Sequence, residues 1–146
     1  LFEEDLEAIV SETATKVPER YSLKALSVQS GMNQMPTATV ELHVDGEKVK
    51  EIGTGDGPVD AVYRTIAHIT QTRSKLLAYT VKAITGGTDA QGEVSVRLEQ
   101  DGEAVTGNGA DTDIIVASAH AYLNALNKLS SQLERRADSG DKIGLC

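Results

Sequence analysis

Two glycine-rich stretches hold the residues whose types and spacing could do chemistry. They are Gly53-Thr54-Gly55-Asp56-Gly57-Pro58-Val59-Asp60-Ala61-Val62-Tyr63 and a weaker copy, Gly107-Asn108-Gly109-Ala110-Asp111-Thr112-Asp113-Ile114-Ile115. Glycine lets backbone N–H groups approach an anion, and a following helix adds the positive end of its dipole. A nucleotide cradle fits poorly, because the spacing Gly-x-Gly-x-x-Gly and the Walker lysine are absent and Asp56 and Asp60 would repel phosphate. A single carboxylate at a helix N-terminus, with acids nearby to hold an ammonium, fits better. A zwitterionic amino acid carries both groups. The same glycines could instead serve only tight turns and helix caps.

Catalytic and metal chemistry find no support. His43, His68 and His120 fall on different expected elements, so no ligand spacing arises and no metal site is expected. Ser27 and Ser118 have no base partner near in sequence, there is no Gly-x-Ser-x-Gly elbow, and Cys146 is the single cysteine. No catalytic residues are expected in this chain.

The elements that must position the glycine stretches follow from periodicity. Tyr21, Leu23, Ala25, Leu26 and Val28 predict a first strand of mixed burial, and Ser30 to Gln34 a turn. Thr37, Thr39, Glu41 and His43 alternate with Ala38, Val40, Leu42 and Val44, a strand with one buried face. Asp45-Gly46 predicts a hairpin returning through Lys48, Val49 and Ile52. Pro58 then opens a helix at N1, with Val59, Val62, Ile66 and Ile69 as its apolar stripe.

The second half repeats the order. Leu76 to Ile84 is a β-rich run, Gly86-Gly87 a break, Val94, Val96 and Leu98 alternate, Asp101-Gly102 turns and Val105 returns. A longer helix runs from about Asp111, burying Ile115, Ala119, Tyr122, Leu126 and Leu129. Setting Gly53 on Gly107 and Gly55 on Gly109 makes two pseudo-symmetric β-β-β-α units, an α+β sandwich of sheet and helix with a seam between the halves.

With 146 residues the chain makes one domain that buries roughly two thirds of its unfolded surface. The net charge of −8 argues against a nucleic-acid or anionic-membrane partner. No apolar run approaches the ~18 residues of a membrane span and no secretory leader opens the chain, so a cytoplasmic location is expected. Leu1-Phe2-Glu3-Glu4-Asp5 lacks an initiator methionine and continues a helical spacing through Leu6, Ile9 and Val10, so a preceding segment is expected. The expected divisions are the end of a linker over 1–19, a domain over 20–132 built of units 20–70 and 71–132, and a flexible tail over 133–146.

Several blocks together carry a family resemblance. Gly55 to Tyr63, Leu77-Ala78-Tyr79, Ala83 to Val94, Thr112 to Ser118 and Ala121 to Lys128 closely resemble, in order and without a large gap, the C-terminal regulatory domain of 2-isopropylmalate synthase. The resemblance implies a parent enzyme of leucine biosynthesis. That acyltransferase condenses acetyl-CoA with 2-oxoisovalerate in an N-terminal TIM barrel that uses a divalent metal. The barrel is absent here, so this chain is expected to be non-catalytic and to need no cofactor of its own. The resemblance further implies a homodimer, formed across the seam, that binds L-leucine as feedback inhibitor. Carried over motif by motif, the effector-binding positions are Gly57, Val59, Asp60, Leu76, Tyr79, Ala83, Ala90 and Ile114. Asp60 either meets the ammonium or faces water, and ordinary core packing is the competing account of Val59, Leu76 and Ile114. Two alternatives stay open. One is the isoleucine-sensing domain of citramalate synthase, which this chain resembles less around Tyr79 to Ala83 and Asn124 to Asn127; the other is a dimerisation module without a ligand.

Overall fold

The computed structural model describes residues 19–84 and 91–145, with side chains described for 19–82 and 91–135. The expected linker up to residue 18, the Gly86-Gly87 break and Ala90 lie outside the described residues. The element order is β1 (Tyr21–Gly31), β2 (Gln34–Val44), β3 (Glu47–Thr54), α1 (Pro58–Thr70), β4 (Lys75–Ile84), β5 (Gln91–Gln100), β6 (Glu103–Asp111) and α2 (Ile114–Leu145). Strands β1-β2-β3 form one antiparallel sheet and β4-β5-β6 another, so the fold is α+β with two β-β-β-α units. Among the described residues no helix is long and apolar enough to cross a membrane.

The hairpins form where Asp-Gly sits. Asp45 and Gly46 have φ of 52° and 89°, Asp101 and Gly102 φ of 54° and 83°. Two successive positive-φ residues make the primed turn whose twist suits antiparallel strands. From there alternation sets the faces. Ala38, Val40 and Leu42 on β2, and Val94, Val96 and Leu98 on β5, are buried beneath the helices. Val49 and Ile52 cannot share a face, being an odd number of residues apart. Val49 pairs with Leu42 and turns inward, whereas Ile52 pairs with Thr39 and is 67% exposed.

The two units superpose in a register different from the one the glycines suggest. Gly53 pairs with Ala38 and Gly109 with Val94, and the same spacing carries Asp45 to Asp101, Pro58 to Ile114 and Ala61 to Ala117. Gly53 therefore corresponds to Gly109, not to Gly107. A slip of two residues leaves every side chain on its own face, so alternation alone does not detect it. The correspondence extends to irregularities. The β1 pairing is interrupted between Leu23 and Ala25, the β4 pairing between Leu76 and Ala78, leaving Lys24 and Leu77 as the extra residues of equivalent bulges.

The glycines in the strands make room for helices rather than turns. A Cβ on Gly107 would meet the Ala121 carbonyl oxygen and the backbone nitrogen of Ala125, and one on Gly109 would meet Ala117 and Ala121. The small residues of α2 thus lie directly on the backbone of β6.

Helix α2 also stitches the units together. Asn127 Oδ1 accepts the Tyr21 N–H at 2.9 Å while its Nδ2 donates to the Tyr21 carbonyl at 3.0 Å, both buried. Asn124 Oδ1 accepts the Asn108 N–H at 3.0 Å, and Lys128 Nζ donates to the Thr106 carbonyl at 2.8 Å. Side chains one helical turn apart thereby satisfy backbone groups on two sheet edges, β1 and β6. The helix continues to Leu145, through a segment expected to be flexible. Once nucleated a helix propagates at little cost without an apolar stripe, and Arg135, Arg136 and Ala137 are good helix formers.

Candidate functional site

The two helix starts differ in how their backbone donors are used. Gly57 precedes α1 in an extended conformation and supplies no side-chain cap. Pro58 has no N–H, and the first helical bond runs from Ala61 N–H to the Gly57 carbonyl at 2.8 Å. That leaves the Val59 and Asp60 N–H groups without an intrahelical acceptor at the positive end of the dipole. At α2, by contrast, Asp113 Oδ1 accepts the Ile115 N–H at 2.8 Å and Asp111 Oδ1 accepts the Asp113 N–H at 2.9 Å. The start of α2 already holds carboxylates. The start of α1 is open to one.

Asp60 serves its own turn. Its Oδ2 accepts the Asp56 N–H and the Arg64 Nε–H, each at 2.8 Å, and Arg64 also lies 3.7 Å from Asp56. The carboxylate is partly exposed, so the ion pair contributes little to stability, about 0.3–0.5 kcal/mol for a helical pair of this spacing. Its effect is to fix the loop ahead of Gly57.

Three tyrosines and a serine join the two starts. Tyr63, one turn beyond Val59, stacks on Tyr122 with centroids 4.4 Å apart and meets Tyr79 edge-on at 6.0 Å. Its hydroxyl donates to the Ser118 carbonyl at 3.0 Å, and the Tyr79 and Ser118 hydroxyls are 2.7 Å apart. Ser118 lies one turn beyond Ile114, and Ile114 covers Gly92, where a Cβ would collide with its side chain. Gly92 in turn pairs with Ala83 and with Asp111. The structure thus brings Tyr63, Tyr79 and Ser118 together at a junction of α1, β4 and α2, with Val59 and Ile114 each one helical turn before Tyr63 and Ser118. Gly57 and Asp60 stand at the start of α1, where Asp60 turns to Asp56 and Arg64, and the backbone of Ala83 lies towards the end of β4, opposite Gly92. Leu76 lies on the same face of β4 as Tyr79, the two pairing with Leu98 and Val96 on either side of the Leu77 bulge, and is 45% exposed. Three surface clefts, around Arg20 and Ser130, around Thr70 and Leu133, and around Leu23 and His120, are lined by none of the predicted effector residues.

Tyr63 and Ser118 were not singled out as site residues by the sequence. Each follows an expected site residue by one helical turn, Val59 and Ile114 respectively, and that spacing was the available signal.

Burial raises the phenols of Tyr63 and Tyr122. For Tyr63 the neighbouring Tyr79 adds to burial and the Ser118 bond partly opposes it; for Tyr122, pushed up to about 12, a bond to Ser74 is the opposing influence. A folded-state pKa above the unfolded value means the folded chain holds its proton longer. The associated stability is complete below the unfolded tyrosine value of ~10 and is lost as pH rises toward 12. In an alkaline titration the tyrosinate absorbance of these two residues is expected to rise together with loss of helix signal, and a rise well before it would contradict their burial.

The family described as "LeuA allosteric (dimerisation) domain" matches this chain over residues 1–130. The chain belongs to that family. Among similar proteins, the 2-isopropylmalate synthase of Syntrophus aciditrophicus is 55% identical over 129 residues, covering 88% of this chain and 25% of that protein. That of Nitrosospira multiformis is 50% identical over 135 residues, 92% and 26%. That of Heliobacterium modesticaldum is 52% identical over 127 residues, 87% and 25%. The LeuA-type chain therefore spans about a quarter of the length of these relatives. The family match takes in both β-β-β-α units as far as Ser130 of α2.

Proposed function

We propose that this chain is the regulatory domain of a 2-isopropylmalate synthase and binds L-leucine as a feedback inhibitor of leucine biosynthesis. The observation that carries the reading is the asymmetry of the helix starts: α1 is uncapped and open to a carboxylate, while α2 begins in the acids Asp111 and Asp113. An amino acid would set its carboxylate on the Val59 and Asp60 N–H groups, its ammonium toward acids and its side chain against Tyr79 and Ile114. Burying a branched aliphatic side chain there contributes roughly 1.5–3 kcal/mol.

The proposal includes a homodimer, with the half-exposed Leu76, Leu77 and Val81 of β4 available for a second copy to cover. It also includes a catalytic barrel elsewhere in the parent chain, to which the acyl transfer and its divalent metal belong. Leucine would act there only by favouring one arrangement of the coupled domains, and the coupling is reciprocal in the binding terms.

Isothermal titration with leucine, isoleucine and valine, alongside the mass in solution, tests the reading. Saturable binding by a dimer with leucine preferred is expected, by about 10- to 200-fold if the pocket discriminates branching as it does a methylene. Preference for isoleucine would move the chain to the citramalate reading. A dimer that binds none of the three would leave a dimerisation module without an effector.

A further inference from the structure

One residue of α2 fixes both tyrosines at the candidate site. Ser118 is fully buried. Its hydroxyl donates to the Ile114 carbonyl at 2.7 Å. A serine hydroxyl has a single proton, so in the 2.7 Å contact with Tyr79 the tyrosine O–H must be the donor. The chain of donors runs from Tyr79 through Ser118 to Ile114, and two of its three members are expected effector residues. Separately, the Ser118 carbonyl accepts the Tyr63 O–H at 3.0 Å. Rings from α1 and β4 are thereby held edge to face, 77° apart, by two atoms of one residue.

Leucine and isoleucine have the same atoms and nearly the same apolar area, so burial alone barely separates them. Only a wall of fixed shape can reject one branching pattern in favour of the other. An aromatic ring whose hydroxyl is tied is such a wall. We propose that Ser118 is a positioning residue that sets effector specificity by fixing the Tyr79 ring against the first turn of α2. The inference rests on the reading of this junction as an amino-acid site. It adds the residue that decides which branched side chain the site accepts.

The test titrates the protein, Ser118→Ala, Tyr79→Phe and the double variant with leucine and with isoleucine, and records a melting curve for each. Ser118→Ala keeps the carbonyl that holds Tyr63, and both single changes remove the same hydroxyl contact. Each single variant is expected to weaken leucine by about three- to tenfold, with the preference over isoleucine falling toward unity. The double variant should be no worse than Ser118→Ala alone, because that change already removes the contact that Tyr79→Phe would break, together with the bond to Ile114. Variants that melt earlier yet keep the original leucine preference would overturn the proposal, as would losses that simply add. If the unsubstituted protein binds neither amino acid, the effector reading itself fails and takes this inference with it; that arm is read first.

Discussion

Replacing Gly107 by valine abolishes the cooperative fold, or lowers its stability by about 3–5 kcal/mol. The new side chain would lie against backbone, the Ala121 carbonyl oxygen and the Ala125 nitrogen, where no rotamer change gives relief. Either α2 lifts off β6 or the strand bows, and both expose Val94, Val96 and Leu98, which the helix buries. The contrast is Gly57→Ala. A Cβ there meets nothing within 4 Å and the backbone is extended, so the fold should tolerate it. Thermal unfolding of the two variants side by side checks the pair. A Gly107→Val protein that melts within a few degrees of the unsubstituted one would show that the helix does not rest on this strand.

Asn127→Leu is expected to cost about 2–5 kcal/mol, although it places an apolar side chain of similar size in a buried position. The amide makes both hydrogen bonds to the backbone of Tyr21, and no leucine atom replaces either. Two buried backbone groups then lack partners, which is more costly than the gain from apolar burial. Urea unfolding should show a lower midpoint at unchanged slope, since the same surface is exposed on unfolding. The neighbouring Asn124→Leu should cost far less, because its bond to Asn108 lies at the exposed edge. Equal losses from the two would mean that the Tyr21 clasp is no more than another surface contact.

Much of the fold was legible in the sequence because its signals are local. Asp-Gly at 45–46 and 101–102 dictates a turn, alternation around Val40 and Val96 dictates a face, and Pro58 dictates a helix start. The correspondence of the two halves was legible except for its register, where glycines with different neighbours were set on one another. Gly53 was matched by residue type to Gly107, while strand pairing matches it to Gly109. Of the candidate site, the positions Gly57, Val59, Asp60 and Ile114 came with the family resemblance, and their place at the two helix starts was legible because such starts are marked by their own residues. The middle of the site was not. Tyr63 and Ser118 are joined across two helices, and Asn127 to Tyr21 across the whole domain, by hydrogen bonds that follow no period along the chain. Leu76 and Tyr79 came with the family resemblance, and only the bulge at Leu77 shows that residues three apart share a face of β4.

The matched bulges in β1 and β4 bear on how a doubled protein avoids ambiguity. A fold made of two like halves presents each surface twice, and anything that grips one copy can grip the other. At the bulge the copies diverge to Lys24 and Leu77, both exposed. A lysine on an edge strand discourages a neighbouring strand from adding, while a leucine in the equivalent place invites one. With Asn127 already holding Tyr21 of β1, the exchange leaves β4 as the more open of the two equivalent edges and gives the doubled molecule a front and a back.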